Sequence, residues 1–218
     1  MIWQTFIDFD KQLLLWFNGS QSLYLDSLVR TLTDAFTWVP LYVSLFFVVL
    51  KNSDTVRKIL FILSCAGLCV LLSGTVDDAI VKPLVARWRP THDPQIGLMV
   101  DTVDGYRGGR YGFFSAHASN TFSITVFFWW LIRSRLLTTA MTIWSLTNCW
   151  TRMYLGVHFP GDILVGLCWG AICGTLVYKI YRRVYREGKD RYIKNDINIP
   201  VSILVFTLLY ALIKSTLA

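Results

Sequence analysis

Three short stretches carry residues whose types and spacing suit acid–base or anion chemistry. The first, "KPLVARWRP" (Lys82–Pro90), gathers Lys82, Arg87 and Arg89. Guanidinium forks match phosphate oxygens bidentately, so the segment reads as an anion clamp. The plainer alternative is a set of interfacial anchors that snorkel to the membrane surface. The second, "GFFSAHASNTF" (Gly112–Phe122), places Ser115, His117, Ser119 and Asn120 at the mouth of the apolar run "SITVFFWWLI". Ser115 caps the helix expected there, which leaves backbone N–H groups and the positive helix end facing the mouth, with His117 on the first turn. The third is "TRMYLGVHFPGD" (Thr151–Asp162). Pro160 suits a first helical turn, which sets His158 just before the helix, Asp162 within it and Arg152 one short loop away. An aspartate that accepts a hydrogen bond from one ring nitrogen fixes the tautomer and makes the other nitrogen more nucleophilic. Taken singly, His117 reads as a structural interfacial residue; its interest comes from its company.

The elements that must position these groups are membrane helices. Hydrophobic residues make up 54% of the chain and aromatic residues 15%, and the mean hydropathy is +0.48; soluble domains are less apolar. Apolar runs of about 20 residues mark spans, expected near 34–50, 59–79, 117–132, 136–154, 162–181 and 199–217. The opening "WQTFIDFDKQLLLWFN" alternates charged and apolar residues, and its "LLLWF" core is too short to cross. It fits an amphipathic helix lying in the interface. The reading is one all-α, membrane-embedded domain over residues 1–218, with 1–30 interfacial and 199–217 a further C-terminal span.

Charge sets the orientation. Lys51, Arg57 and Lys58 lie between the first two spans, and Arg133 and Arg135 between the third and fourth. Arg182, Arg183, Arg186, Lys189, Arg191 and Lys194 follow the fifth. Six spans put all three groups on one side, which the positive-inside rule makes cytoplasmic. Lys82, Arg87, Arg89, Arg107, Arg110 and Arg152 fall on the other side and need another task. No span separates the first two motifs and two separate the second from the third, so all three open on one face. Lys82, Arg89, His117, Arg152, His158 and Asp162 therefore converge on a phosphate-sized site at the outer surface.

Together the stretches resemble the three-part signature of the type 2 phosphatidic acid phosphatase (PAP2) superfamily, KxxxxxxRP, PSGH and SRxxxxxHxxxD. The resemblance runs from the second span to the fifth and is to the bacterial membrane-embedded lipid phosphatase branch. It implies a helical-bundle core and metal-independent, cofactor-free hydrolysis. His158 would be the nucleophile that becomes a phosphohistidine, Asp162 its orienting partner, and His117 the acid for the leaving oxygen. Lys82, Arg89 and Arg152, with Ser115 and the Ala116 N–H, would bind the phosphate oxygens. Three positions depart from the pattern: Phe114 for proline, Ala116 for glycine and Thr151 for serine. Ala116 is tolerable only if its backbone is helical.

By analogy with bacterial relatives the expected substrate is undecaprenyl diphosphate, followed by phosphatidylglycerophosphate, phosphatidic acid and lipid A phosphates. The rivals are a phosphotransferase that passes the phosphoryl group to another acceptor, and a non-catalytic transporter or scaffold. The expected location is the bacterial inner membrane, with the site facing the periplasm or outside. Basic–aromatic interleaving in a polar segment is absent, which argues against nucleic acid as a partner. Cys65, Cys69, Cys149, Cys168 and Cys173 read as small buried hydrophobes, without a CxxC pair. Asp8 and Asp10 stand where a signal peptide would carry basic residues. The loop 91–113, rich in glycine, suits either a lid or a solvated connection, and His92 beside Asp93 has no other support as an acid–base pair.

Overall fold

The computed structural model describes residues 2–20, 22–185 and 192–217, and among them every regular element is helical. Arg186, Lys189 and Arg191, part of the expected basic loop, lie outside the described residues.

The opening amphipathic segment forms α1 (Ile2–Phe17). Leu14 is buried while Phe6, Phe9 and Trp16 stay exposed. The interfacial segment expected over 1–30 breaks after α1. Gly19 turns with positive φ, Ser22 caps the next helix by accepting the Leu25 N–H, and α2 (Leu23–Thr33) buries Leu28, Val29 and Leu32. A 3₁₀ turn at Ala35–Trp38 leads into α3 (Val39–Lys51), with Pro40 in its first turn where no donor is lost.

α4 (Val56–Val70) does not stop at 79 as expected. It runs on through wide π-type turns at Leu71–Thr75 and Asp77–Val81 into α5 (Lys82–Val85), one helix of 30 residues. Asp77 and Asp78 interrupt the hydropathy pattern but not the helix, because Lys82 meets both carboxylates. Ala86, in left-handed conformation, ends it. α6 (Ala116–Ile132), α7 (Arg135–Tyr154), α8 (Pro160–Val184) and α9 (Lys194–Ser215) complete the bundle.

By length and composition, Val56–Val85, α8 and α9 are apolar enough to cross a membrane, and a fourth span exists if α2 and the Ala35–Lys51 segment, bent by 64°, count as one. α6 is short, at 17 residues, and α7 is rich in hydroxyl groups. Both bury much of their length inside the bundle. Cys168, in contrast to the other cysteines, is exposed.

The packing of α6 on α8 fixes the site, and it is close enough to need glycine. A Cβ on Gly166, Gly170 or Gly174 would stand 2.7, 2.5 and 2.4 Å from the carbonyl oxygens of Ser115, Ser119 and Ser123. Two stripes of three residues at four-residue spacing, glycine on α8 and serine along α6 from its cap, thus bring the backbones together as small-residue stripes do in membrane bundles. The Ser115 N–H donates to the Asp162 carbonyl at 3.1 Å, so the two helix N-termini meet.

Candidate active site

Each motif is held by its own local structure. The segment after α5 pairs with the end of the 91–113 loop: the Arg89 N–H donates to the Arg110 carbonyl at 3.0 Å and the Gly112 N–H to the Arg87 carbonyl at 2.9 Å. Thr91 ties that loop further, its N–H to the Gly156 carbonyl and its hydroxyl to the Arg107 carbonyl. Ser115 caps α6, its Oγ accepting the Ala118 N–H at 3.4 Å. Ala116 is the first residue of α6 and has no positive φ, so the glycine of the family pattern is not needed there. His158 precedes Pro160, and Asp162 sits at the third helical position of α8.

His158 is 2% exposed. Its Nε2 lies 3.3 Å from Nη1 of Arg89, and its Nδ1 lies 3.7 Å from Oδ2 of Asp162. The expected hydrogen bond between His158 and Asp162 is not made; the two atoms face each other beyond hydrogen-bond range. The carboxylate is already taken: its Oδ1 accepts from Arg87 Nη1 at 2.6 Å and its Oδ2 from the Phe159 N–H at 3.0 Å. Burial, then the charges of Arg89, Arg152 and Lys82, hold the His158 imidazole well below the usual histidine range. It stays neutral, with a lone pair available. His117 is exposed at the mouth, near enough to Arg152, Lys82 and Arg89 to feel their charges.

The cations divide into two kinds. Lys82 is neutralised by Asp77 at 2.8 Å and Asp78 at 2.5 Å. Arg87 bridges Asp162 and Asp10, both at 2.6 Å. Arg89 instead donates to the carbonyls of Tyr111 and Val157. Arg152, 4% exposed, donates to the Thr33 hydroxyl at 2.5 Å and the Tyr106 hydroxyl at 3.3 Å. Among the described residues neither Arg89 nor Arg152 has a carboxylate in ion-pair range. Two guanidinium groups with only neutral acceptors beside a neutral imidazole form a site suited to a multiply charged oxyanion.

The structure thus gathers Arg89, Arg152, His158, Asp162, Ser115 and His117, and places Lys82 at the rim in a carboxylate pair. Thr151 is buried and turned to the Asn148 carbonyl. Phe114, where the family has proline, keeps an N–H that donates to Asp77 at 3.1 Å. Ser119 and Asn120 bond to Ser73 on the neighbouring helix. His92 contacts Thr91, while Asp93 pairs with Lys11, so the two form no acid–base pair. Sequence reasoning missed Asp10, Asp77, Thr33 and Tyr106. It also grouped Arg87 with the clamp, whereas both its Nη atoms are spent on carboxylates.

Similarity agrees with the geometry. The PAP2 superfamily matches residues 35–186. A lipid A 4'-phosphatase of Bacteroides thetaiotaomicron is 36% identical over 81% of this chain and 79% of its own length. One of Porphyromonas gingivalis is 36% identical over 80% of this chain and 74% of its own. A decaprenylphosphoryl-5-phosphoribose phosphatase of Mycobacterium tuberculosis is 34% identical, over 45% of this chain and 50% of its own. No solved structure is detectably similar. With all three motifs in place and relatives aligned over most of its length, the chain belongs to the PAP2 superfamily.

Proposed function

We propose that this membrane lipid phosphatase removes a phosphate monoester from a glycolipid headgroup, with the 4'-phosphate of lipid A as its substrate. The observation that carries the catalytic reading is the buried, neutral His158, its Nε2 3.3 Å from Arg89. In this reading Nε2 attacks phosphorus in line and the bond to the sugar oxygen breaks. His117 protonates the leaving oxygen. Arg89, Arg152, Ser115 and the Ala116 N–H, with Lys82 at the rim, take the charge on the equatorial oxygens. Asp162, 3.7 Å from Nδ1, stabilises the positive ring of the phosphohistidine. Water then attacks phosphorus and gives its proton to His117, the P–Nε2 bond breaks with its electron pair returning to Nε2, and inorganic phosphate leaves.

Similarity to two lipid A 4'-phosphatases favours this substrate over undecaprenyl diphosphate, the first choice from sequence. A cleft of about 820 Å³ between α1 and the start of α8, walled by Phe6, Phe9, Leu13, Phe113, Phe159 and Leu164, offers room for hydrocarbon beside the site. We read six spans: the bent α2–α3 pair, Val56–Val85, α6, α7, α8 and α9. α6 and α7 carry polar groups because their neighbours are largely protein. α1 lies in the interface. The site faces outward from the inner membrane, opposite the end bearing Lys51, Arg57, Lys58, Arg133, Arg135, Arg182 and Arg183.

The test is phosphate release by the purified protein from lipid A, undecaprenyl diphosphate, phosphatidylglycerophosphate and phosphatidic acid. Release from lipid A at the 4' position, insensitive to EDTA, blocked by vanadate and lost in His158→Ala is the expected result. Full activity of His158→Ala sinks the nucleophile assignment, and turnover of undecaprenyl diphosphate alone restores the other substrate.

A further inference from the structure

We propose that Arg87 is a positioning residue for Asp162, and that Asp10 acts through it to couple the seating of α1 to the catalytic centre. Four contacts carry this. Arg87 donates through Nη1 to Oδ1 of Asp162 and through Nη2 to Oδ2 of Asp10, each at 2.6 Å. Asp10 in turn accepts the Gly161 N–H at 2.8 Å, reaching the first turn of the helix that carries Asp162. The guanidinium lies 4.3 Å over the ring of Phe159, the residue next to His158. On the adjacent position of α1, Lys11 pairs with Asp93 at 3.0 Å and bonds Gln95 at 2.8 Å. α1 is thus pinned on both sides of the Arg87 contact.

The arrangement has a physical consequence for the reaction, and it rests on the proposed role of His158 as nucleophile. Asp162 is fully buried, and a carboxylate there needs fixed donors to hold one orientation. Arg87 and the Phe159 N–H supply them, which leaves Oδ2 facing Nδ1 of His158. A lone arginine would cancel the charge of Asp162. Asp10 shares the guanidinium, so the Asp10–Arg87–Asp162 triplet keeps a net negative charge. That charge favours the imidazolium that forms when Nε2 is phosphorylated. Lysine in place of Arg87 offers a point charge without the planar fork and satisfies both carboxylates less well.

Steady-state kinetics of purified, monodisperse Arg87→Ala, Arg87→Lys, Asp10→Asn and the Arg87→Ala/Asp10→Asn double variant test this, with His158→Ala alongside. Misplacement of a catalytic group by about 1 Å costs about 100-fold, so kcat of Arg87→Ala should fall by about that factor. KM and inhibition by inorganic phosphate should stay within about twofold, as expected for a group that does not hold substrate. Arg87→Lys should recover part of the loss. Asp10→Asn should lower kcat less than Arg87→Ala, and the double variant should be no worse than Arg87→Ala, because asparagine keeps an oxygen for the Gly161 N–H and loses only the charge that faces Arg87. A raised KM with weakened phosphate inhibition makes Arg87 a phosphate ligand instead. Additive losses, or a lowered thermal midpoint with kcat unchanged, reduce the network to a structural tether. Each of these overturns the proposal while a dead His158→Ala leaves the phosphatase reading standing; an active His158→Ala overturns both.

Discussion

Alanine at Gly166 should damage catalysis out of proportion to its size. Its Cβ would stand 2.7 Å from the Ser115 carbonyl oxygen and 3.1 Å from the Ala118 Cβ, where an ordinary contact begins at 3.4 Å. The nearest obstacle is backbone, so no rotamer change relieves it, and α6 must move from α8 by about 0.7 Å. Overpacking of this kind costs about 1–3 kcal/mol of stability. Because Ser115 caps α6 and its N–H bonds the Asp162 carbonyl, the shift passes directly into the proposed phosphate site. Scaled against about 100-fold for a 1 Å misplacement, kcat/KM should drop by about 10- to 50-fold. Gly174→Ala has an equal or worse clash, 2.4 Å from the Ser123 carbonyl, but lies two turns deeper. It should lose similar stability and less activity. Gly67, with no atom within 4 Å of its would-be Cβ, is the control. There alanine should gain up to about 1 kcal/mol from helix propensity and leave kinetics alone. Thermal midpoints in detergent and phosphate-release kinetics for the three variants decide the matter. If Gly166→Ala and Gly67→Ala prove equally active and stable, the close α6–α8 packing does not position the site.

Two further outcomes follow from the site itself. Thr33→Val removes the 2.5 Å acceptor of Arg152 Nη1, and kcat/KM should fall by about tenfold, the worth of one hydrogen bond to a charged group, while the thermal midpoint barely changes; unchanged kinetics would show that Arg152 needs no support from α2. His158 has its protonation held well below the usual histidine value of 6.5, with burial as the main cause. The unfolded chain therefore binds a proton near pH 6.5 that the folded chain refuses, so the stability this group permits is intact above pH 6.5 and is lost as pH falls below it. Thermal midpoints from pH 8 to pH 5 should drop less in His158→Gln than in the parent, and parallel curves would refute the assignment.

The three chemical stretches were legible because motif spacing needs no coordinates. Helix positions were legible to within a few residues where apolar runs were clean, as for α6 and α7. They were not where charge is paired inside a helix: Asp77 and Asp78 look like an ending, but Lys82, one turn on, lets the helix continue to Val85. Both three-residue stripes, Ser115–Ser119–Ser123 and Gly166–Gly170–Gly174, stand in the sequence. Which helix each would meet depends on pairing between elements far apart in the chain. The same holds for Arg87 and Asp10, 77 residues apart, whose charges sequence alone sorts into a clamp and a surface helix.

That sorting of charge leaves the proposed phosphate site without a carboxylate partner on two of its arginines. A buried guanidinium surrounded by neutral acceptors is under-compensated, since carbonyls and hydroxyls replace only part of its hydration. Arg152 is in this state between Thr33 and Tyr106, and Arg89 between two carbonyls and the His158 ring. Carboxylates nearby would have relieved the strain but competed with substrate. The chain places its carboxylates elsewhere, Asp77 and Asp78 on Lys82, Asp10 and Asp162 on Arg87. Charge on Arg89 and Arg152 is thus left to a ligand, and in the proposed mechanism their interaction would strengthen as negative charge builds on the equatorial oxygens. Burial first, and then the charges of Arg89, Arg152 and Lys82, suppress protonation of His158, so in the proposed mechanism the cations that would bind phosphate also help keep the proposed nucleophile neutral.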